Sequence, residues 1–103
     1  MKPYLEVITF KLKAGVSEQD FYAVHEAFRA FLDAQTGLLY RTLAKHPENE
    51  TFIDIIYWQS KADIAKVEES FYDDARCKAL MDIVDSESVV MSQNEIIAQS
   101  CNS

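Results

Sequence analysis

Along Tyr4 to Lys13 the side chains alternate, with Tyr4, Glu6, Ile8, Phe10 and Leu12 on one side and Leu5, Val7, Thr9 and Lys11 on the other. A period of two is that of a strand, and apolar residues occupy both of its faces. Ala14-Gly15-Val16 turns the chain, and from Ser17 the period changes. Phe21, Val24, Phe28, Phe31, Leu32 and Gln35 share one face at helical spacing. Ser17 caps the free amides of this helix, with Glu18 and Asp20 at the positive end of its dipole. Gly37 is read as its left-handed closing residue.

Leu38 to His46 reads as a second strand, less regular than the first, and Pro47-Glu48-Asn49-Glu50 as a polar hairpin loop. Phe52 to Gln59 is the strand around which the rest is organised. Phe52, Asp54, Ile56 and Trp58 point one way and Ile53, Ile55 and Tyr57 the other, so both faces are apolar and the strand belongs in the middle of a sheet. Ser60-Lys61-Ala62-Asp63 repeats the Ser-x-x-Asp helix opening. Ile64, Val67 and Phe71 form one stripe, and Cys77, Leu80, Met81 and Val84 another. At about 100° per residue the two are out of phase, which predicts a break near Tyr72-Asp73-Asp74 and two helices. Asp85-Ser86 ends the second of them. Glu87 to Ala98 reads as a last long strand and Gln99 to Ser103 as a tail.

The order β-α-β-β-α-α-β predicts an α+β, ferredoxin-like single domain over residues 1–103, with antiparallel strand order 4-1-3-2 and the helices on one face. The other face carries Leu5, Val7, Ile53, Ile55 and Tyr57. A monomer would leave that patch in water, so a homodimer packed sheet to sheet is expected.

Composition narrows the partners. The chain of 103 residues carries a formal net charge of −7, and only two Gly and two Pro. That balance excludes a nucleic-acid backbone or an anionic membrane surface as the natural partner. The two cysteines, Cys77 and Cys101, make no disulfide framework. No signal-peptide core or membrane-length apolar run is present, and a cytoplasmic location is the expectation.

Three residues stand out chemically. Asp54 is a carboxylate on an otherwise apolar strand face, so it either pairs or lines a wet pocket. Trp58, on the same face, can stack on a flat aromatic molecule; otherwise it is a core side chain with its N–H bonded. His25 lies roughly 20° from Leu32 and roughly 40° from Phe21 around the first helix, facing the sheet, where it can serve as a general base or as a buried, hydrogen-bonded imidazole. Glu6 shares the pocket-side face. Tyr22, Tyr40 and Tyr72 are candidate rim donors for a substrate. Arg29 and Arg41 can hold an acidic group or pair with the many acids. Two histidines on separate elements make no metal site, and no Gly-rich phosphate loop occurs, so no cofactor is expected.

The stretches Phe10-Lys11-Leu12-Lys13-Ala14-Gly15 and Tyr57-Trp58-Gln59-Ser60-Lys61-Ala62-Asp63 resemble those of the antibiotic-biosynthesis-monooxygenase-like domains of the dimeric α/β-barrel superfamily, and the likeness runs from Tyr4 to Ile97. The resemblance implies a homodimer, a pocket between sheet and helices, and a cofactor-independent monooxygenase of a small aromatic, quinol or polyketide-like molecule, with Trp58 at the position of a tryptophan shared by several such oxygenases. Together with the reading of the residues above, His25, Asp54 and Trp58 are expected to line one cavity, with His25 and Asp54 as its catalytic groups and Trp58 against the substrate. The alternative is a non-catalytic small-molecule binder or dimerisation module of the same fold. Ile8 and the Val67-Glu68 segment stand where haem-degrading relatives place an Asn and a His, so haem is not the expected ligand.

Overall fold

The structure is a computed structural model that describes residues 2–100. Met1 and residues 101–103, Cys101 among them, lie outside the described residues. The elements are β1 (Tyr4–Phe10), α1 (Glu18–Asp33), β2 (Leu38–Lys45), β3 (Phe52–Trp58), α2 (Lys61–Phe71), α3 (Ala75–Ile83), a 3-10 turn at Ser86–Ser88, and β4 (Val90–Glu95). The four strands form one antiparallel sheet in the order β2-β3-β1-β4, the expected 4-1-3-2 arrangement.

Several element ends differ from the sequence reading, each for a local reason. β1 stops at Phe10 instead of Lys13, because the chain there leaves β3 for the end of α3. Leu12 bridges to Val84, and the Lys13 amide donates to the Ile83 carbonyl. Ser17 makes a full capping box with Asp20, each side chain reaching the other's backbone amide. The helix it opens ends at Asp33, four residues before Gly37. Gly37 is therefore not the helix cap. It holds φ +90 at the entry to β2, and the Asp63 side chain occupies the space a β-carbon would need. The predicted break falls between α2 and α3, with Asp74 accepting from the Arg76 amide as the cap of α3. The last strand is shorter than expected. Asp85 accepts from the Glu87 amide, and the Ser88 hydroxyl donates to the Asp85 carbonyl, so residues 86–88 coil before the strand begins.

β3 keeps strict alternation. Phe52, Asp54, Ile56 and Trp58 are buried, while Ile53, Ile55 and Tyr57 are half-exposed. The helices cover the first set. Phe28, Phe31, Leu32, Ile56, Trp58, Ile64, Val67 and Cys77 form one core cluster, and Phe10, Phe21, Phe52 and Val84 a second. β2 carries a bulge between Leu38 and Tyr40. The extra residue shifts the alternation, so that Leu38, Arg41 and Leu43 pair with Trp58, Ile56 and Asp54, while Tyr40 pairs with Tyr57 on the outer face. This bulge decides the chemistry of the helix-side face, because it sends Arg41 inward.

Candidate functional site

Asp54 sits at the centre of β3 with a side chain only 6% exposed. Unpaired, a carboxylate there would be costly. Arg41 resolves this from the neighbouring strand. Its Nε donates to Asp54 Oδ1 at 2.9 Å and its Nη2 to Oδ2 at 2.7 Å, the two-pronged geometry that suits guanidinium and carboxylate. The guanidinium also lies over the Phe28 ring, 5.5 Å from its centre. A third contact runs outward, with Nη1 at 2.8 Å from His25 Nε2 on α1.

That contact fixes the state of His25. A guanidinium only donates, so Nε2 must be the acceptor, and the imidazole is neutral with its proton on Nδ1. Burial pushes the His25 pKa down, Arg41 and Arg29 add to the effect, and Asp54 and Glu26 oppose it. The ring is braced from below by Phe21, at 5.6 Å between ring centres. His25, Arg29 and Arg41 line an open groove of about 510 Å³ between α1 and β2, with Asp33, Leu38 and Leu43 also in its wall.

The remaining sequence candidates separate into two groups. Trp58 is 1% exposed and packs into the first core cluster beside Phe28 and Phe31, so it lines no groove. Its Nε1 donates to Glu6 Oε1 at 3.1 Å. Glu6 is itself buried, and burial raises its pKa; the Trp58 bond works in the opposite direction, while Glu68 and Asp54 add to the rise. Trp58 and Glu6 are thus one buried pair, and His25 and Asp54 are joined to each other through Arg41. The two pairs share a sheet face, but Ile56 stands between Asp54 and Trp58 along β3. A single cavity lined by His25, Asp54 and Trp58 is not what the packing produces. Tyr40 borders the groove, with its ring edge-on to Tyr57 at 5.6 Å. Tyr22 is exposed and donates to Glu18, and Tyr72 is exposed against Phe71, so neither reaches the groove wall. Arg41 is the residue that strand alternation alone would misplace. Among the described residues no group of three His, Cys, Asp or Glu side chains could hold a metal ion.

No family model matches this sequence, and no curated protein matches it significantly. Solved structures do. SnoaB, a cofactor-independent oxygenase from Streptomyces nogalater, superposes with a TM-score of 0.71 at 15% identity, over 98% of this chain and 97% of its own. The chain has the fold of that oxygenase. A dimeric ferredoxin-like protein from an uncultured marine organism matches with a TM-score of 0.70 at 13% identity, over 100% of this chain and 95% of its own. A Chloroflexus aurantiacus protein provisionally described as an antibiotic biosynthesis monooxygenase gives 0.69 at 10% identity, over 96% and 97%. The likeness read from the Phe10–Gly15 and Tyr57–Asp63 stretches therefore extends to the whole three-dimensional fold.

Proposed function

We propose that this protein receives a small aromatic molecule with an acidic hydroxyl, a phenol or quinol, in the groove between α1 and β2, and readies it for reaction with molecular oxygen without a bound cofactor. The observation that carries this reading is the neutral His25 imidazole held on Arg41 at the groove wall. A phenolic oxygen entering there can take the Nη1 hydrogen of Arg41 and pass its own proton to His25 Nε2. The O–H bond breaks, an N–H bond forms, and the phenolate lies between a guanidinium and an imidazolium. The resulting anion is electron-rich enough to react with oxygen directly. Asp54 serves as a positioning residue here, since both of its oxygens are occupied by Arg41. The shared fold with a cofactor-independent oxygenase supports the same direction.

We take the working unit to be a homodimer joined through the open sheet face. Val7, Ile53, Ile55 and Tyr57 lie there half-exposed with no helix over them, and a dimeric protein shares the fold. A second reading, a ligand carrier without catalysis, is favoured by one observation. Phe28, Phe31, Ile56, Trp58 and Ile64 fill the space between sheet and helices, and the groove that remains is open to water. An oxygen electrode separates the two readings. With anthrone, which enolises to a phenol, oxygen uptake above background should fall about 10²-fold in His25→Ala. Uptake equal in the two proteins, or absent in both, would end the oxygenase reading.

A further inference from the structure

Arg41 has five N–H donors, and three are engaged: two on Asp54 and one on His25. One hydrogen on each Nη nitrogen is left. Arg29 stands on the same groove wall, and its nearest acid, Asp33, is 4.0 Å away, with both side chains largely in solvent. Two guanidiniums and one neutral imidazole therefore face the groove against the single carboxylate of Asp33. The carboxylate that balances Arg41 lies behind it, in the sheet. An oxyanion would meet donors here that a neutral ligand could not use as well.

The His25 contact makes this binding conditional. His25 Nε2 holds an Arg41 hydrogen only while it is unprotonated. A ligand oxyanion that reaches the two free Nη hydrogens is a stronger acceptor than a neutral imidazole and also competes for the Nη1 hydrogen that His25 holds. We propose that Arg41 selects anionic ligands in this groove, and that a bound anion takes the Nη1 hydrogen from His25, which then takes up one proton from solvent. The inference rests on the groove being a ligand site, as above, but needs no oxidation. One Nη1–H···N bond is exchanged for one Nη1–H···O bond, and one new N–H bond forms on the imidazole.

The charges facing His25 set the sign. Arg41 on β2 and Arg29 on α1 oppose its protonation, whereas Asp54 on β3 and Glu26 on α1 favour it, and the Phe21 ring beside it carries no charge. Binding removes the bond that required a bare Nε2 and adds a negative charge beside it. Both changes favour the imidazolium. The complex then holds more protons than the free protein, so affinity rises as pH falls, by up to about tenfold per pH unit.

Isothermal titration calorimetry with benzoate, and with benzamide as its neutral counterpart, tests this. Benzoate has no hydroxyl to ionise and does not react with oxygen, so the result is independent of the oxygenase reading. Benzoate should bind about tenfold tighter than benzamide and tighter at about pH 6 than at about pH 8. Its heat should vary between buffers of different ionisation enthalpy in the sense of proton uptake. In His25→Gln the amide oxygen can still accept from Arg41, so the preference for benzoate should persist while the pH and buffer dependence vanish. Arg41→Gln combined with Asp54→Asn removes both buried charges together and should abolish the preference. Equal affinity for the two probes, no binding of benzoate at millimolar concentration, or an unchanged buffer dependence in His25→Gln would overturn the proposal.

Discussion

At the scale of single residues, the decisive group is Arg41, because it serves three partners at once. It neutralises Asp54, lies over Phe28 and sets the tautomer of His25. The ion pair at its centre is out of water, with the Arg41 and Asp54 side chains 12% and 6% exposed. Breaking one member of such a pair leaves the other charge buried and uncompensated. Asp54→Asn preserves the shape and removes the charge, and it should cost about 3 kcal/mol of stability, read from urea unfolding. Replacing Asp54 and Arg41 together should cost less than Asp54→Asn alone, since no lone charge remains. Trp58 and Glu6 form another buried polar pair, and the indole N–H is what lets a carboxyl sit in that core. A tryptophan that stabilises a buried acid is unavailable for stacking on a ligand.

At the scale of elements, two local motifs fix where α1 and α2 begin. The first is the capping box of Ser17 and Asp20, which starts α1 at the residue the sequence marks. The second brings together the start of β2 and the start of α2. Ser60 donates to Asp63 Oδ2 at 2.8 Å, the Gln59 amide donates to the Gly37 carbonyl at 2.8 Å, and the Asp63 carboxylate fills the space beside Gly37. Gly37 is thus required twice, by its positive φ and by the carboxylate against it. Gly37→Ala should lower stability by more than the ~1 kcal/mol expected for losing the Ser17 cap in Ser17→Ala, measured by thermal unfolding of the two variants in parallel. A Gly37→Ala protein as stable as the parent would mean that Asp63 moves aside without cost. The bulge in β2 acts at this same scale. Without it, Arg41 would face away from Asp54 and Tyr40 toward it.

At the scale of the whole molecule, the helices cover one face of the sheet and leave the other open. Leu5, Val7, Ile53, Ile55 and Tyr57 remain half-exposed along the two central strands. Sheet-to-sheet pairing would remove this surface from water and make an apolar interface of the kind found in obligate homodimers. Sedimentation equilibrium at micromolar concentration should therefore give twice the 11.8 kDa chain mass. Ile55→Asp, which puts a charge at the centre of the open face, should abolish the double-mass species and destabilise the fold with it, read from sedimentation and thermal unfolding together. A parent protein that sediments as a single chain would remove the dimer from the proposal.

The sequence by itself determined the fold, because the fold follows from local periods that survive without tertiary information. Strict alternation in Phe52–Trp58, helical spacing from Phe21 to Leu32, and the phase shift between Val67 and Cys77 fixed the element order and left one strand order that buries them. It also singled out His25 and Asp54, since a carboxylate on an apolar strand and an imidazole on the sheet-facing side of α1 are exceptions to those periods. It did not separate the Trp58–Glu6 pair from the Arg41–Asp54–His25 chain. Which buried polar groups meet depends on strand register and on the bulge at Leu38–Tyr40, and a bulge changes the face of every later residue without any mark in composition. The fate of the space between sheet and helices was likewise a tertiary matter. Whether six phenylalanines and one tryptophan enclose a cavity or fill it depends on how far α1 and α2 approach the sheet, and here their side chains close it, leaving the groove over His25 and Arg41 at its edge.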